Sequence, residues 1–434
     1  MRKSTKVFAV LAILATIAAG CAKKTPGTST GAASCTANKL KGFAAGASMN
    51  HSATFTAAGY TAQAAKPVVE LGMFGDLTGV NSALVTPIRN AAQLAVDQAN
   101  ASGMASDGTA LSVKLQLVVK DNKDAAAATA PPIEQSFIDN SKVVGVIGGA
   151  FSGETEAVGG KFAAAGLTHI SASATATSIT THGWPFFRTV VPDSVQGAKM
   201  ADVISSLGCK KAAVIDDKEP YGKGLADAVA AELTAKGATV AVRQAQDAKT
   251  TDFSTLIDTI SAQKPDIVFW GGYYGPAALL LKQMRERGIN SLFTCGDGCA
   301  DKQLVTLAGT TAATNVFVTC PCTIPLFAPA GSKAATLETA YKAKYGIDAL
   351  IYSSEAYDAA NMFIAAIAHS GGGTSVTRKS VLDFVKALNN FPGVSRNYTF
   401  QSNGELATSS QTINVYPVKS GSLELLGTTD QAIS

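Results

Sequence analysis

Histidine is scarce in this sequence: four residues in 434, His51, His169, His182 and His369, lie far apart. Imidazole chemistry has little to draw on, and a satisfied or exposed role is the default for each. Charge is also sparse, at 16% against 47% hydrophobic. The net charge is +4, and beyond the extreme N-terminus no Lys/Arg block of the kind that grips nucleic acid occurs. A nucleic-acid partner is therefore not expected. After the first twenty residues no stretch reaches about 18 unbroken apolar residues, so the mature chain should carry no membrane span. Two motifs are incomplete. Gly222-x-Gly224 lacks the third glycine of a dinucleotide loop. Ser152 has Ala150 two before it and Glu154 two after, where a nucleophile elbow needs glycines. No catalytic residue and no cofactor is assigned, and the chain is not read as an enzyme. The abundant apolar material allows a large core, and the length suits two or three domains.

The first twenty residues read as a targeting segment. Arg2, Lys3 and Lys6 form a positive head, and Val7 to Ala19 is apolar apart from Thr16. That run is too short to span a bilayer comfortably and fits a signal peptide. It ends Ile17-Ala18-Ala19-Gly20-Cys21, small residues before a cysteine, which resembles a bacterial lipoprotein cleavage site. Cleavage would leave Cys21 to carry lipid; the alternative is ordinary secretion with Cys21 a plain thiol. Residues 22–36 are Ala, Lys, Thr, Gly and Ser with one Pro and Cys35, and read as a flexible tether. Residues 37–66 remain unassigned.

From Val68 onward strand-like and helix-like pieces alternate. Ile88 to Asn100 has helical spacing, whereas Leu111, Val113, Leu115, Leu117 and Val119 alternate with the period of a strand. Val143 to Ile147, Ala212 to Ile215, Ile267 to Trp270 and Val316 to Thr319 read as buried strands. Helices are expected over 222–236, 253–263, 276–287, 333–345 and 354–369. Such alternation implies an α/β fold with parallel sheets covered on both faces, and its length implies two doubly wound lobes.

In open parallel sheets, ligands bind beyond the carboxyl ends of the strands. The residues after the expected strands are Gly148 to Thr155, Ser171 to Thr175, Asp216 to Gly222, Gly271 to Tyr274 and Cys295 to Gly298. Hydroxyls, glycines, tyrosines and carboxylates thus gather on one rim. Taken singly, Ser152 could cap a helix, Asp297 could be a turn residue, and Tyr221 and Tyr273 could edge the core.

Several stretches resemble, in order and spacing, the periplasmic leucine/isoleucine/valine-binding proteins of ABC transporters. They are Leu77-Thr78-Gly79, Ala95-Val96-Asp97, Ile147-Gly148 with Ser152 and Thr155, Ile170-Ser171 through Thr175, Phe187-Arg188-Thr189, and Asp193 with Gln196-Gly197. Tyr221-Gly222-Lys223-Gly224, Gly271-Gly272-Tyr273 and Glu355-Ala356-Tyr357-Asp358-Ala359 complete the set. The resemblance implies a type I periplasmic binding protein fold, two lobes joined by a three-stranded hinge. It implies that Ser152 and Thr175 bind the ligand carboxylate with backbone N–H groups near Ser173 and Ala174, and that Asp297 pairs with the ligand ammonium. Tyr221 and Tyr273 would line the cleft from the second lobe. The chain departs from the pattern at Asp76, where proline is usual, and at Leu84, where some members have tyrosine.

The N-terminal residues give 1–20 as signal peptide and 21–67 as lipid-anchored tether and unassigned stretch, and the same resemblance sets the lobes: 68–190 with 321–393 the first, 191–320 with 394–434 the second. The crossings would fall near 189–191, 319–322 and 392–395. The expected function is capture of a branched-chain or other small amino acid outside the cytoplasm by a monomer anchored to the membrane through lipid. Delivery to an ABC permease would follow. Short amides, urea or small carboxylates are the alternative ligands, and a secreted hydrolase using Ser152 is the reading from another class. Six further cysteines, Cys35, Cys209, Cys295, Cys299, Cys320 and Cys322, would meet an oxidising compartment. The clustered four could hold zinc, but export and the absence of a neighbouring histidine favour disulfides, so no metal is assigned. At least one bridge is expected among Cys295, Cys299, Cys320 and Cys322, and two strands ending side by side would bring Cys295 or Cys299 near Cys320 or Cys322. Direct Cys320–Cys322 pairing is disfavoured by its short span, and Cys35 and Cys209 are left as paired or free.

Overall fold

The computed structural model describes residues 35–41 and 66–433. The signal segment, Cys21 and residues 42–65 lie outside the described residues. The first half alternates β1 (Val68–Gly75), α1 (Ser82–Ser102), β2 (Lys114–Asp121), α2 (Pro131–Asp139), β3 (Val143–Ile147), α3 (Ser152–Ala164), β4 (Thr168–Ser171) and β5 (Phe187–Arg188). These strands form a parallel sheet of order β2-β1-β3-β4-β5. The chain then crosses and repeats the pattern with α4 (Asp193–Ser206), β6 (Lys211–Asp216), α5 (Pro220–Ala235), β7 (Thr239–Ala245), α6 (Ser254–Gln263) and β8 (Ile267–Gly271). It continues with α7 (Tyr274–Glu286), β9 (Leu292–Cys295), α8 (Lys302–Ala308) and β10 (Val316–Cys320).

Next come α9 (Lys333–Tyr345), α10 (Ser353–His369) and α11 (Arg378–Lys386), followed by the hairpin of β11 (Phe391–Pro392) and β12 (Asn397–Tyr398). The chain ends with β13 (Asn414–Lys419), β14 (Ser422–Leu423), β15 (Gly427–Thr428) and α12 (Thr429–Ile433). The second sheet has the order β14-β13-β10-β9-β8-β6-β7, with β15 also on β13 and β13 antiparallel to β10.

The inner strands of both sheets are covered on both faces, which is why they read as continuous apolar runs, whereas the edge strand β2 alternates. In the first, Leu71, Met73, Leu115 and Ile147 face α1 and α10, while Phe74, Val143 and Val146 pack with Phe137 and Phe162. In the second, Ala213, Ile215, Val268 and Trp270 share a core with Leu256, Leu280 and Leu304, while Val214, Phe269 and Phe317 face Met200, Leu225 and Val229. The two-residue period of a strand produces this division. Helix α10 is buried from Ser353 to Ala368 because it lies in the core beside α1.

The sequence-based boundaries agree with these elements within a few residues where the pattern is long. The turn expected to cross back at 392–395 instead belongs to the β11–β12 hairpin. Phe400 meets Phe187 edge-to-face with centroids 5.1 Å apart, Phe400 bridges Leu406, and Glu405 pairs with Arg188. The chain thus rejoins the second sheet only at Asn414. Residues expected in the tether also depart from it. Cys35 is buried in the core of the second sheet, and the Thr36 hydroxyl donates to Asn315 at 3.2 Å.

The six described cysteines fall into three adjoining pairs, Cys35 with Cys209, Cys295 with Cys299, and Cys320 with Cys322, at Cα separations of 5.1, 6.1 and 5.0 Å. This corrects the expected approach of Cys295 or Cys299 to Cys320 or Cys322. Although β9 and β10 are neighbours, Cys295 is in register with Val318, so Cys320 lies two residues further along. The short turn Asp297–Cys299 folds Cys299 back toward Cys295 instead.

Candidate functional site

In both sheets the strand order reverses beside the first strand, between β1 and β3 and between β6 and β8. The loops at the carboxyl ends of such strands diverge and leave a crevice. Here the two crevices face one another. A small cavity lies between them, lined by Leu84, Val85, Ile88, Ala150, Phe151, Ser152 and Ser173 from the first lobe and Tyr221, Tyr273, Asp297 and Gly298 from the second. Tyr352, just before α10, completes the lining.

Ser152 opens α3, so its side chain stands at the N-terminal end of a thirteen-residue helix, where an anion is favoured. Its hydroxyl caps no N–H of its own helix. It accepts the N–H of Ala176 at 3.1 Å and keeps a proton to donate. The Ser173 hydroxyl donates to the Ala150 carbonyl at 2.7 Å. The N–H groups of Ser173 and Ala174, expected as carboxylate donors, both reach the Ser171 hydroxyl, at 3.3 and 2.9 Å. Ala174 and Thr175 are buried and do not line the cavity. Thr175 stands beside Asp193, whose N–H donates to the Thr175 carbonyl at 2.8 Å.

On the opposite lobe Asp297 follows β9 and is 2% exposed. It is far more than a turn residue: Tyr221 donates to one carboxylate oxygen at 3.1 Å, and Tyr352 donates to the other. The Gly298 N–H donates to the Tyr221 hydroxyl at 2.9 Å and fixes it. Gly296 allows this approach, because a side chain there would stand 2.8 Å from the Tyr221 hydroxyl and 2.3 Å from Leu225. Burial pushes the Asp297 carboxyl above the usual range, and the Tyr352 and Tyr221 hydroxyls oppose that shift. Tyr273 packs edge-on against Phe151, centroids 5.2 Å apart, closing one side of the cavity.

The structure therefore brings Ser152, Ser173, Tyr221, Tyr273 and Asp297 into one cavity and leaves Ala174 and Thr175 behind it. Tyr352 had no sequence signal, because its role depends on a left-handed backbone, φ 61°, at the entry to α10. Leu84, Val85 and Ile88 had a partial one, as apolar positions on the helix that follows β1.

Beneath Ser152, Glu154 is fully buried. It accepts the Phe151 N–H at 3.2 Å and a bond from Asn122. Burial lifts its carboxyl to about 8. Between the unfolded chain's carboxyl value and about 8, the folded protein holds a proton that the unfolded chain has lost. Each pH unit upward there removes about 1.4 kcal/mol of stability. Urea unfolding should show stability falling from pH 6 to pH 8, and Glu154→Gln should flatten that fall. Asp217, also lifted to about 8, retains its own share. Parallel slopes for wild type and variant would contradict the assignment.

Two facing α/β lobes with a small, mixed polar and apolar cavity between them define the class of two-lobed solute-binding proteins. A family model described as periplasmic binding protein matches residues 68–422, and the chain belongs to that family. It is 29% identical over 362 residues to the Leu/Ile/Val-binding protein BraC3 of Rhizobium johnstonii, covering 82% of this chain and 93% of that one. The fold is shared with the leucine-binding protein LivK of Thermotoga maritima at a TM-score of 0.74, 24% identity, 83% of this chain and 98% of the other. It is shared too with the branched-chain amino acid transporter substrate-binding protein LivJ of Streptococcus pneumoniae, solved with isoleucine. There the TM-score is 0.72, the identity 25%, and the coverage 83% and 99%. These neighbours establish the type I periplasmic binding protein fold. Members of the family are extracytoplasmic substrate-binding proteins of transporters, not enzymes.

Proposed function

We propose that this chain is a lipoprotein, anchored through Cys21, that captures a small amino acid with an aliphatic side chain and delivers it to an ABC permease. One observation carries the reading: the cavity sets an acidic end, Asp297, against a hydroxyl and helix-start end, Ser152, with an apolar wall of Leu84, Val85, Ile88 and Phe151. A zwitterion satisfies both polar ends, and a branched side chain fills the wall. The name of the Rhizobium relative and the isoleucine held by the Streptococcus protein support the same class. Residues 68–190 with 321 to about 413 would form the receiving lobe, and the Asp297 lobe would close on it. Only a ligand that touches both lobes favours closure.

A second reading, a short amide or urea, draws on the Ser173 and Ala174 N–H groups being engaged by Ser171 rather than held open for a carboxylate. A thermal-shift screen separates the two. A true ligand at 100 times its dissociation constant should add about 2.7 kcal/mol. Leucine, isoleucine, valine and alanine should raise the transition where acetamide and urea do not; the reverse pattern would replace the amino-acid reading.

In the oxidising space outside the cytoplasm the three adjoining cysteine pairs would be disulfides. Non-reducing peptide mapping of exported protein should recover Cys35–Cys209, Cys295–Cys299 and Cys320–Cys322. Free thiols at these positions, or a bridge between the second and third pairs, would refute the pairing.

A further inference from the structure

Two carboxyl groups are buried at this end of the cleft, Asp297 at 2% exposure and Asp193 at 1%. Their surroundings differ. Asp297 receives the Tyr221 and Tyr352 hydroxyls, whereas neither oxygen of Asp193 has a hydrogen-bond partner, the Thr175 hydroxyl being its polar neighbour. Two carboxylates close together in a dry site do not both ionise, and the one without donors takes the proton. Tyr352 is the donor that comes from the far side: it precedes α10, which packs on α1 of the first lobe, while Asp297 follows β9 of the second.

We infer that Tyr352 is the positioning residue of the ammonium site: its hydroxyl, crossing the cleft, orients the Asp297 carboxylate and keeps the negative charge there rather than on Asp193. The inference rests on the amino-acid reading above and adds what makes Asp297 competent. Burial raises both carboxyls, Asp193 well above its usual range with the Asp297 charge adding to the effect, and the Tyr352 hydroxyl is the largest influence acting the other way on Asp297. The other titratable groups around the pair are Tyr221 and Tyr273, both pushed well above the usual phenol value by burial. The Arg188–Glu405 ion pair lies further back and acts on Asp193 with opposing signs.

The sign follows directly. An ammonium ligand needs charged Asp297, so its affinity falls as pH drops through the carboxyl's titration. Tyr352→Phe keeps the ring and removes the donor. Charge on Asp297 then costs more, and the acid limb of binding should move up by about one pH unit, with roughly tenfold weaker binding along that limb. The experiment is calorimetric titration of wild type and Tyr352→Phe from pH 5 to pH 8.5, with the tightest-binding amino acid as probe. The cycle with Asp297→Asn is measured alongside. The inference expects the shifted limb, and no further loss from Tyr352→Phe once Asp297 is Asn. Superimposable pH profiles, or an equal loss in the Asp297→Asn background, would overturn it and leave Tyr352 a packing residue. A wild type that binds acetamide but no amino acid would overturn the amino-acid reading and this inference with it. Should the variant not fold, carboxyl ¹³C NMR of the wild type decides: the inference expects Asp297 ionised and Asp193 protonated at pH 7, and the opposite order overturns it.

Discussion

Asp297→Asn should weaken the amino-acid ligand by roughly a hundredfold or more. If the ligand is the proposed amino acid, its ammonium enters a cleft in which Asp297 is buried and is the one acid that lines the described cavity. Leaving a buried charge uncompensated costs on the order of 3–5 kcal/mol, and each 1.4 kcal/mol is a factor of ten. The asparagine keeps the shape and can still accept the Tyr352 or Tyr221 hydroxyl, so folding should survive. An uncharged amide should lose much less. Calorimetry of both ligand types on the purified variant measures the contrast. Unchanged affinity for the tightest amino acid would remove the ammonium contact from the proposal.

The second large effect is expected at Arg188, which is fully buried. Its Nε donates to Glu405 at 2.8 Å, Nη2 reaches the other Glu405 oxygen, and Nη1 donates to the carbonyls of Ala174 and Ala176 at 3.1 and 3.0 Å. One side chain thus ties the turn at 400–406 to the loop that carries Ser173. Arg188→Leu leaves Glu405 charged and nearly buried with no cation, a loss of about 3–5 kcal/mol. Removing both charges with Arg188→Leu and Glu405→Leu should restore much of the stability, because the desolvation of the pair disappears with the pair. It should not restore ligand affinity, because the two loop carbonyls remain without their donor. Urea unfolding and calorimetry of the single and double variants report the two quantities separately. A single variant within about 0.5 kcal/mol of wild type, the range of ordinary surface changes, would show that the pair is not structural.

Legibility followed the range of the physics. Strands β3, β6, β8 and β10 were readable because burial on both faces makes a run of apolar residues. Helix α9 was readable over Lys333–Tyr345 because Ser332 caps its first turn and Gly346 ends it in a left-handed conformation. The rim loops were legible as a class for the same reason: once the strands are placed, their carboxyl ends are placed. Pairing across the chain was not legible. Cys295 and Cys299 adjoin because a short turn folds back, and Cys35 is held against Cys209 across 174 residues. Neither fact has a local pattern.

The sequence by itself determined the α/β alternation, the two lobes and the residues offered at the strand ends, because hydrophobic periodicity and strand-end placement are properties of neighbouring residues. Tertiary structure alone decided which of those residues share a cavity. It turned Thr175 toward Asp193 and brought Tyr352 from the first lobe to Asp297 in the second. The physical reason is that charge, desolvation and hydrogen-bond supply at a buried carboxylate are set by groups distant in the chain. Asp193 and Asp297 are both aspartates opening a helical turn, and only their surroundings decide which has donors for its charge.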